Sequence, residues 1–241
     1  MSERPLIDIE DGTEFDEALV ISCFPSEGFV SSIVAHFLVD KLGLELVGGI
    51  RHSGLPPVCL VQDGSPLPPI RLYSGVPICN VDKCDKVVLI ASEIQISPEL
   101  KLPITSEVLD WMANSGAGMS IMIDSYAHGE GQKHSIFDED KSPDTVVGIG
   151  STEKSREMLE EIGATLLKQG VVGGMTGVML GESGRRKMES VAIIAGSGGG
   201  FSGGGISDAR GGAALCNGAC VMLHHVHGVS VVCPRARPDV S

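Results

Sequence analysis

"ALVISCFPSEGFVSSIVAHFLVDKLG", residues 18–43, changes its hydrophobic period partway along, and that change decides the fold. Residues 18–23 are a short apolar run without alternation, as expected of a buried strand covered on both faces. From Phe29 onward, Val30, Ile33, Val34, Phe37, Leu38 and Leu42 keep the spacing of one helical face. A strand feeding straight into an amphipathic helix is the repeating unit of an α/β protein.

The same alternation continues downstream. "KVVLIA" (86–91), "MSIMID" (119–124), "TVVGIG" (145–150) and "SVAIIA" (190–195) are further buried-strand candidates. Between them, Thr105 is placed to cap a helix "SEVLDWMANSG" that Gly116 ends. Ser151 and Thr152 open "EKSREMLEEIGATLL" with Glu153 in its first turn, and "VVGGMTGVMLGESGRRK" is a glycine-rich helical region. Residues 44–80 hold Pro56, Pro57, Pro66, Pro68, Pro69 and Pro77 between short strand-like runs, some at a sheet edge because proline donates nothing to a ladder. A last helix, capped by Ser207 or Asp208, carries Ala213, Cys216, Cys220 and Leu223 on one face. Its Gly211, Gly212 and Gly218 suit close approach by another backbone. The expectation is a three-layer αβα fold around a mostly parallel sheet.

At 241 residues the chain lies below the ~250 to 300 residues at which hydrophobic cores tend to split, so one domain is expected across residues 1–241. A polar insertion interrupts it at 126–144 and a glycine-rich loop at 196–206. Aromatics make up only 4 %, so packing falls to aliphatic side chains around the single Trp111. A formal charge of −13 opposes nonspecific binding to nucleic acid or anionic lipid and favours a basic partner. No apolar run approaches the ~18 residues of a membrane span, and the acidic N-terminus has no leader pattern. Seven cysteines, odd in number and without a C-x-x-C pair, read as reduced thiols; packing is the better reading of Cys79 and Cys84. A cytoplasmic protein is expected.

The chemistry-bearing patterns are ambiguous. "AGSGGGFSGGGISDARGG" (195–212) contains both G-x-G-x-x-G, at Gly198, Gly200 and Gly203, and G-x-S-x-G, at Gly200, Ser202 and Gly204. A dinucleotide turn needs a helix directly after the strand and an acid about 20 residues on; neither is present. A nucleophile elbow needs a tight turn, whereas Ser202 stands well beyond Ala195. A pliable rim loop is the preferred reading. His224, His225 and His227, with Cys220 a turn earlier, are better explained by the dipole at a helix C-terminus than by a metal.

Ligands of parallel α/β sheets gather beyond the carboxyl ends of strands. There the sequence offers Glu27 and Gly28, Glu93, Asp124, Ser151 and the loop from Gly196. Glu93 and Asp124 are a candidate carboxylate pair, with no basic residue at these ends to receive an anion.

One set of segments resembles a known family: residues 23–43, "GGIRHSGLPPV" (48–58), "PIRLYSG" (69–75), "VVGIGSTEKSREMLEEIG" (146–163), "KQGVVGGMTGVMLGES" (168–183) and "SDARGGAAL" (207–215). In these the chain is similar to the proteasome assembly chaperones, the archaeal members in particular. Gly170, Gly173, Gly174 and Gly177 and the Pro56–Pro57 turn are its most specific parts. The resemblance implies a fold similar to nucleoside phosphorylase and hydrolase domains, assembly into homo-oligomers, and binding to proteasome subunits without catalysis or cofactor. The chain departs from the family pattern at Ser31, where relatives carry glycine, and at Ala209, where they carry proline. It also ends Asp239, Val240, Ser241 rather than in a hydrophobic residue, a tyrosine and one last residue. The expectation is a non-catalytic homo-oligomeric scaffold whose ligand or partner cleft draws on Glu27, Gly28, Glu93, Asp124, Ser151, Gly174, Gly198, Gly200 and Ser202. The alternative is an enzyme acting on a small ligand at the strand ends.

Overall fold

The computed structural model describes residues 4–10, 12–26, 29–77, 86–128 and 146–198, with backbone alone at 126–128 and 196–198. Its strands are β1 (Leu6–Ile9), β2 (Leu19–Cys23), β3 (Glu45–Arg51), β4 (Leu60–Gln62), β5 (Ser65–Leu67), β6 (Ile70–Gly75), β7 (Val87–Ser92), β8 (Met119–His128), β9 (Val146–Gly150), β10 (Thr165–Leu166) and β11 (Ser190–Gly198). Its helices are α1 (Val30–Leu42), α2 (Pro98–Ser115), α3 (Glu153–Glu161) and α4 (Gly174–Arg186). Of the insertion expected at 126–144, residues 126–128 instead continue β8, and of the loop expected at 196–206, residues 196–198 continue β11, where the two strands pair in parallel. The rest of both segments, the last helix, the histidine cluster, and Glu27, Gly28, Cys79, Cys84, Gly200 and Ser202 lie outside the described residues.

Among the described residues, nine strands form one sheet in the order β1-β3-β6-β7-β2-β8-β11-β9-β10. The four central strands, β7, β2, β8 and β11, are mutually parallel, and every described side chain of β2 and β7 is buried. Both faces of this centre are covered, which is why these strands read as unbroken apolar runs. The flanks depart from the expected parallel sheet: β1, β3, β6 and β7 pair antiparallel in succession, and β9 runs antiparallel to β11. An apolar run encodes burial but not direction, so sequence alone left the flanks undetermined.

Strand alternation splits the core in two. Leu19, Ile21, Val87, Leu89, Ile121 and Ile193 face α1 and α3; Val20, Val88, Ile90, Met122, Ala192 and Ile194 face α2 and α4. The layers are therefore helices, sheet, helices. Helix α2 begins at Pro98, with Ser97 in an extended conformation before it, and not at the expected Thr105 cap. Pro98 suits the first helical position, whose amide has no helical partner. Pro103 lies inside the helix, and Thr105 is buried with Leu100, Ile104, Val108 and Met112. Gly116 ends the helix at φ +74, as expected. The proline-rich segment yields a separate two-stranded hairpin, β4–β5, with Pro66 opposite Val61.

Candidate functional site at the carboxyl end of the sheet

β2 and β7 end within a residue of each other while β8 and β11 run on to His128 and Gly198, and the cluster beside the end of β7 is built by a strand running the other way. Because β6 is antiparallel to β7, its first residues lie beside the end of β7: Ile70 faces Ser92 and Arg71 faces Ala91. Arg71 enters the layer below α1, only 1 % exposed. A guanidinium that deep requires an anion and hydrogen-bond acceptors. Glu93, just past β7, supplies both: Arg71 Nη2 donates to Oε1 and Oε2, each at 2.6 Å. Arg71 Nε donates to Tyr73 Oη at 3.0 Å, and its guanidinium carbon lies 6.0 Å from the Tyr73 ring centre. Helix α1 closes the cluster, with His36 Nε2 3.3 Å from Glu93 Oε1.

Burial pushes the Glu93 carboxyl up, but the hydrogen bonds from His36 and Arg71 and the Arg71 charge outweigh it, leaving the group below the ordinary carboxylate range. It is an ionised, doubly bonded acceptor and a weak general base. What the arrangement does is join α1, β6 and β7 at one end of the sheet.

The expected carboxylate pair does not form. Ile123 belongs to the core facing α1 and Met122 to the core facing α2, so Asp124 falls on the α2 side while Glu93 is engaged on the α1 side, with β2 between their strands. Asp124 Oδ1 accepts from the Ser125 amide at 2.8 Å. The expectation that no basic residue stands at these ends is corrected by Arg71 and His36. Its cause is the antiparallel β6, which delivers its first residues to an end where only strand exits were considered. The missed signal is an arginine inside the apolar run of "IRLYSG".

Ser151 is at the opposite end. It does follow the carboxyl end of β9, but β9 is reversed, and Gly150 pairs with Val191 near the start of β11. There Ser151 Oγ donates to Met188 O at 2.8 Å and accepts from the Ser190 amide at 2.9 Å, fastening the entry to β11. An open groove of about 780 Å³ lies at this end, with Ala117, Met119, Lys154, Met158, Lys187 and Glu189 among its walls. Gly174 opens α4 at φ +67, and a Cβ on Gly177 would stand 2.0 Å from Val172 O. These glycines are explained by the tight entry to α4. Gly198 is the last residue of β11, paired with His128.

Ser31, in the first turn of α1, is fully buried. Its Oγ lies 2.8 Å from Ile123 O and 2.7 Å from Ser26 Oγ, and Ser26 Oγ accepts from the Ser31 amide at 3.0 Å. The hydroxyl is satisfied by tying the first turn of α1 to β8. No group of three or more His, Cys, Asp or Glu side chains among the described residues is placed to hold a metal ion. No described helix is long and apolar enough to cross a membrane.

Together these features define a layered α/β protein whose buried charges serve its own architecture. Residues 20–236 match the PAC2 family, and the chain belongs to it. The chain shares its fold with Pyrococcus furiosus PbaA, an archaeal homolog of proteasome-assembly chaperone, at a TM-score of 0.73 and 25 % identity, covering 95 % of this chain and 88 % of that one. Pyrococcus furiosus PbaB, an archaeal proteasome activator, superposes at a TM-score of 0.71 and 16 % identity, over 95 % of this chain and 91 % of that one. An uncharacterized protein of Methanocaldococcus jannaschii is 26 % identical over 182 residues, covering 76 % of this chain and 67 % of the relative. The resemblance to archaeal proteasome assembly chaperones read from the sequence therefore holds.

Proposed function

We propose that this chain is a non-catalytic, cytoplasmic binding scaffold, one domain per copy, that self-associates and engages proteasome subunits. The observation that carries the reading is the family match over residues 20–236, joined to a fold shared with a proteasome-assembly chaperone homolog over 95 % of the chain. The geometry of the sheet end supports it. An enzyme acting on a small ligand there would draw on Glu93 and Asp124, yet Glu93 is bonded to Arg71 and Asp124 lies toward the other face. The formal charge of −13 suits a partner surface of basic character.

The test is copurification from native lysate with identification of proteasome α subunits, followed by reconstitution with purified α subunits. Saturable binding, weakened as salt is raised, is the expected result. Absence of binding to purified α subunits would remove the proteasome reading. Turnover of a small molecule, abolished by Asp124→Asn, would replace it with the enzyme.

A further inference from the structure

We propose that the β4–β5 hairpin, residues 52–69, is the arm through which one copy of this chain grips another. The inference rests on the self-association proposed above and names its surface.

The hairpin is built to project in a fixed shape. Gln62 and Ser65 pair across a two-residue turn, Asp63–Gly64, whose φ values of +49 and +78 are those a tight hairpin of matched twist requires. At its base Leu55 packs against the core beneath α2. Beyond that anchor the arm forms its own two-stranded sheet, paired with no described strand of the main one. A lone hairpin of this kind is marginal in water without something to pack on. Two of its apolar side chains are not spent on this copy: Val58 is 50 % exposed and Val61 65 %. Pro66, opposite Val61, carries no amide to donate, which disfavours extension of the β5 edge by another strand and leaves side-chain packing as the mode of contact.

Charge identifies the occupant. Two copies at −13 each repel, so they meet most readily where charge is sparse. Residues 52–69 contain one acidic side chain, Asp63, and no lysine, arginine or glutamate. Of the other exposed aliphatic side chains among the described residues, Leu6 is two residues from Asp8, Leu46 adjoins Glu45, Leu102 adjoins Lys101 and Val171 is three residues from Lys168. Val76 has no charged neighbour in sequence but stands singly after β6, without the two exposed valines of the arm. A basic partner would gain nothing from a neutral apolar arm, whereas a second acidic copy avoids repulsion there. Interfaces of ordinary size take ~20–30 residues a side, which the arm and its immediate flanks approach.

The experiment measures the mass of the intact assembly over a concentration series for the full chain, for Val58→Glu/Val61→Glu, and for Val171→Glu. Val171 is 73 % exposed and lies outside the arm, so it controls for added charge. Thermal melting checks that each variant folds. The expected result is an assembly for the full chain and for Val171→Glu, with the dissociation constant of the arm variant raised about a hundredfold or more by like charges buried against each other. An assembly that survives both arm substitutions overturns the hairpin as the interface and leaves self-association standing. Equal weakening by Val171→Glu also overturns it, as a general charge effect. A full chain that is monomeric at every concentration overturns self-association itself. Loss of α-subunit binding with unchanged mass assigns the arm to that partner instead of a second copy.

Discussion

The two ends of the central sheet bury polarity in different ways. At the carboxyl end a full charge is buried: Arg71 is held by both oxygens of one carboxylate, with Tyr73 and His36 completing the cluster. At the amino end the buried groups are neutral hydroxyls. Ser120 Oγ and Ser190 Oγ are 2.6 Å apart, Ser190 Oγ donates to Ser183 Oγ at 2.9 Å, and Ser151 clamps the same strand entry. A buried charge concentrates risk in one partner, whereas hydroxyls spread it over several modest bonds. The contrast teaches that the charged end is the one a single substitution can break.

Glu93→Ala is expected to have the largest effect, because it leaves Arg71 charged and unpaired at 1 % exposure: about 3 kcal/mol of unfolding free energy at pH 7, read by urea titration. Its pH dependence isolates the charge. The Glu93 carboxyl lies below its ordinary value in the folded state, so its contribution is complete above that ordinary value, about pH 4.3, and disappears as pH falls through the folded one. The gap between wild type and variant should therefore narrow toward pH 3. A gap that stays constant would mean that packing, not charge, sets the difference. Replacing the pair together, by Arg71→Met with Glu93→Gln, should cost less than Glu93→Ala alone.

At the neutral end Ser190→Ala removes bonds to Ser120 and Ser183 at once and should cost about 1–2 kcal/mol, independent of pH. A loss matching that of Glu93→Ala would erase the distinction between the ends. Thr152→Ala sharpens it further. The Thr152 hydroxyl caps α3 by accepting from the Ser155 amide at 3.1 Å, a bond worth about 1 kcal/mol in the same titration. The smallest effect belongs to His36→Gln. This ring is 53 % exposed and touches the already paired Glu93, so stability should change by less than about 1 kcal/mol. A larger loss would make His36 a principal holder of the cluster.

How much of this was legible depended on what each residue encodes. β2, α1, β7 and the start of α3 were readable because burial on both faces, a helical stripe and a Thr152 cap leave local patterns. Only the start of α2 was missed: Thr105, read as a cap, is buried inside the helix, while Pro98 at the true start sits where its ring costs the helix nothing. Strand direction was read correctly for the four central strands but not for the flanks, and two site errors follow from the flanks. Reversal of β9 moved Ser151 to the other end, and reversal of β6 brought Arg71 to this one. Asp124, read as the end of its strand, lies inside β8, which runs on to His128, and period-two alternation turns it away from Glu93.

The single tryptophan gives the molecule a reporter of its own. Trp111 on α2 meets the Phe15 ring edge-on, with centroids 5.0 Å apart, in a segment that precedes β2. Indole emission therefore senses whether that leading stretch is seated on the helix, while far-ultraviolet dichroism senses the backbone as a whole. Two superimposable melting curves would mean the leading stretch lets go only when everything does; an earlier optical change at Trp111 would expose a fraying step that bulk spectroscopy averages away.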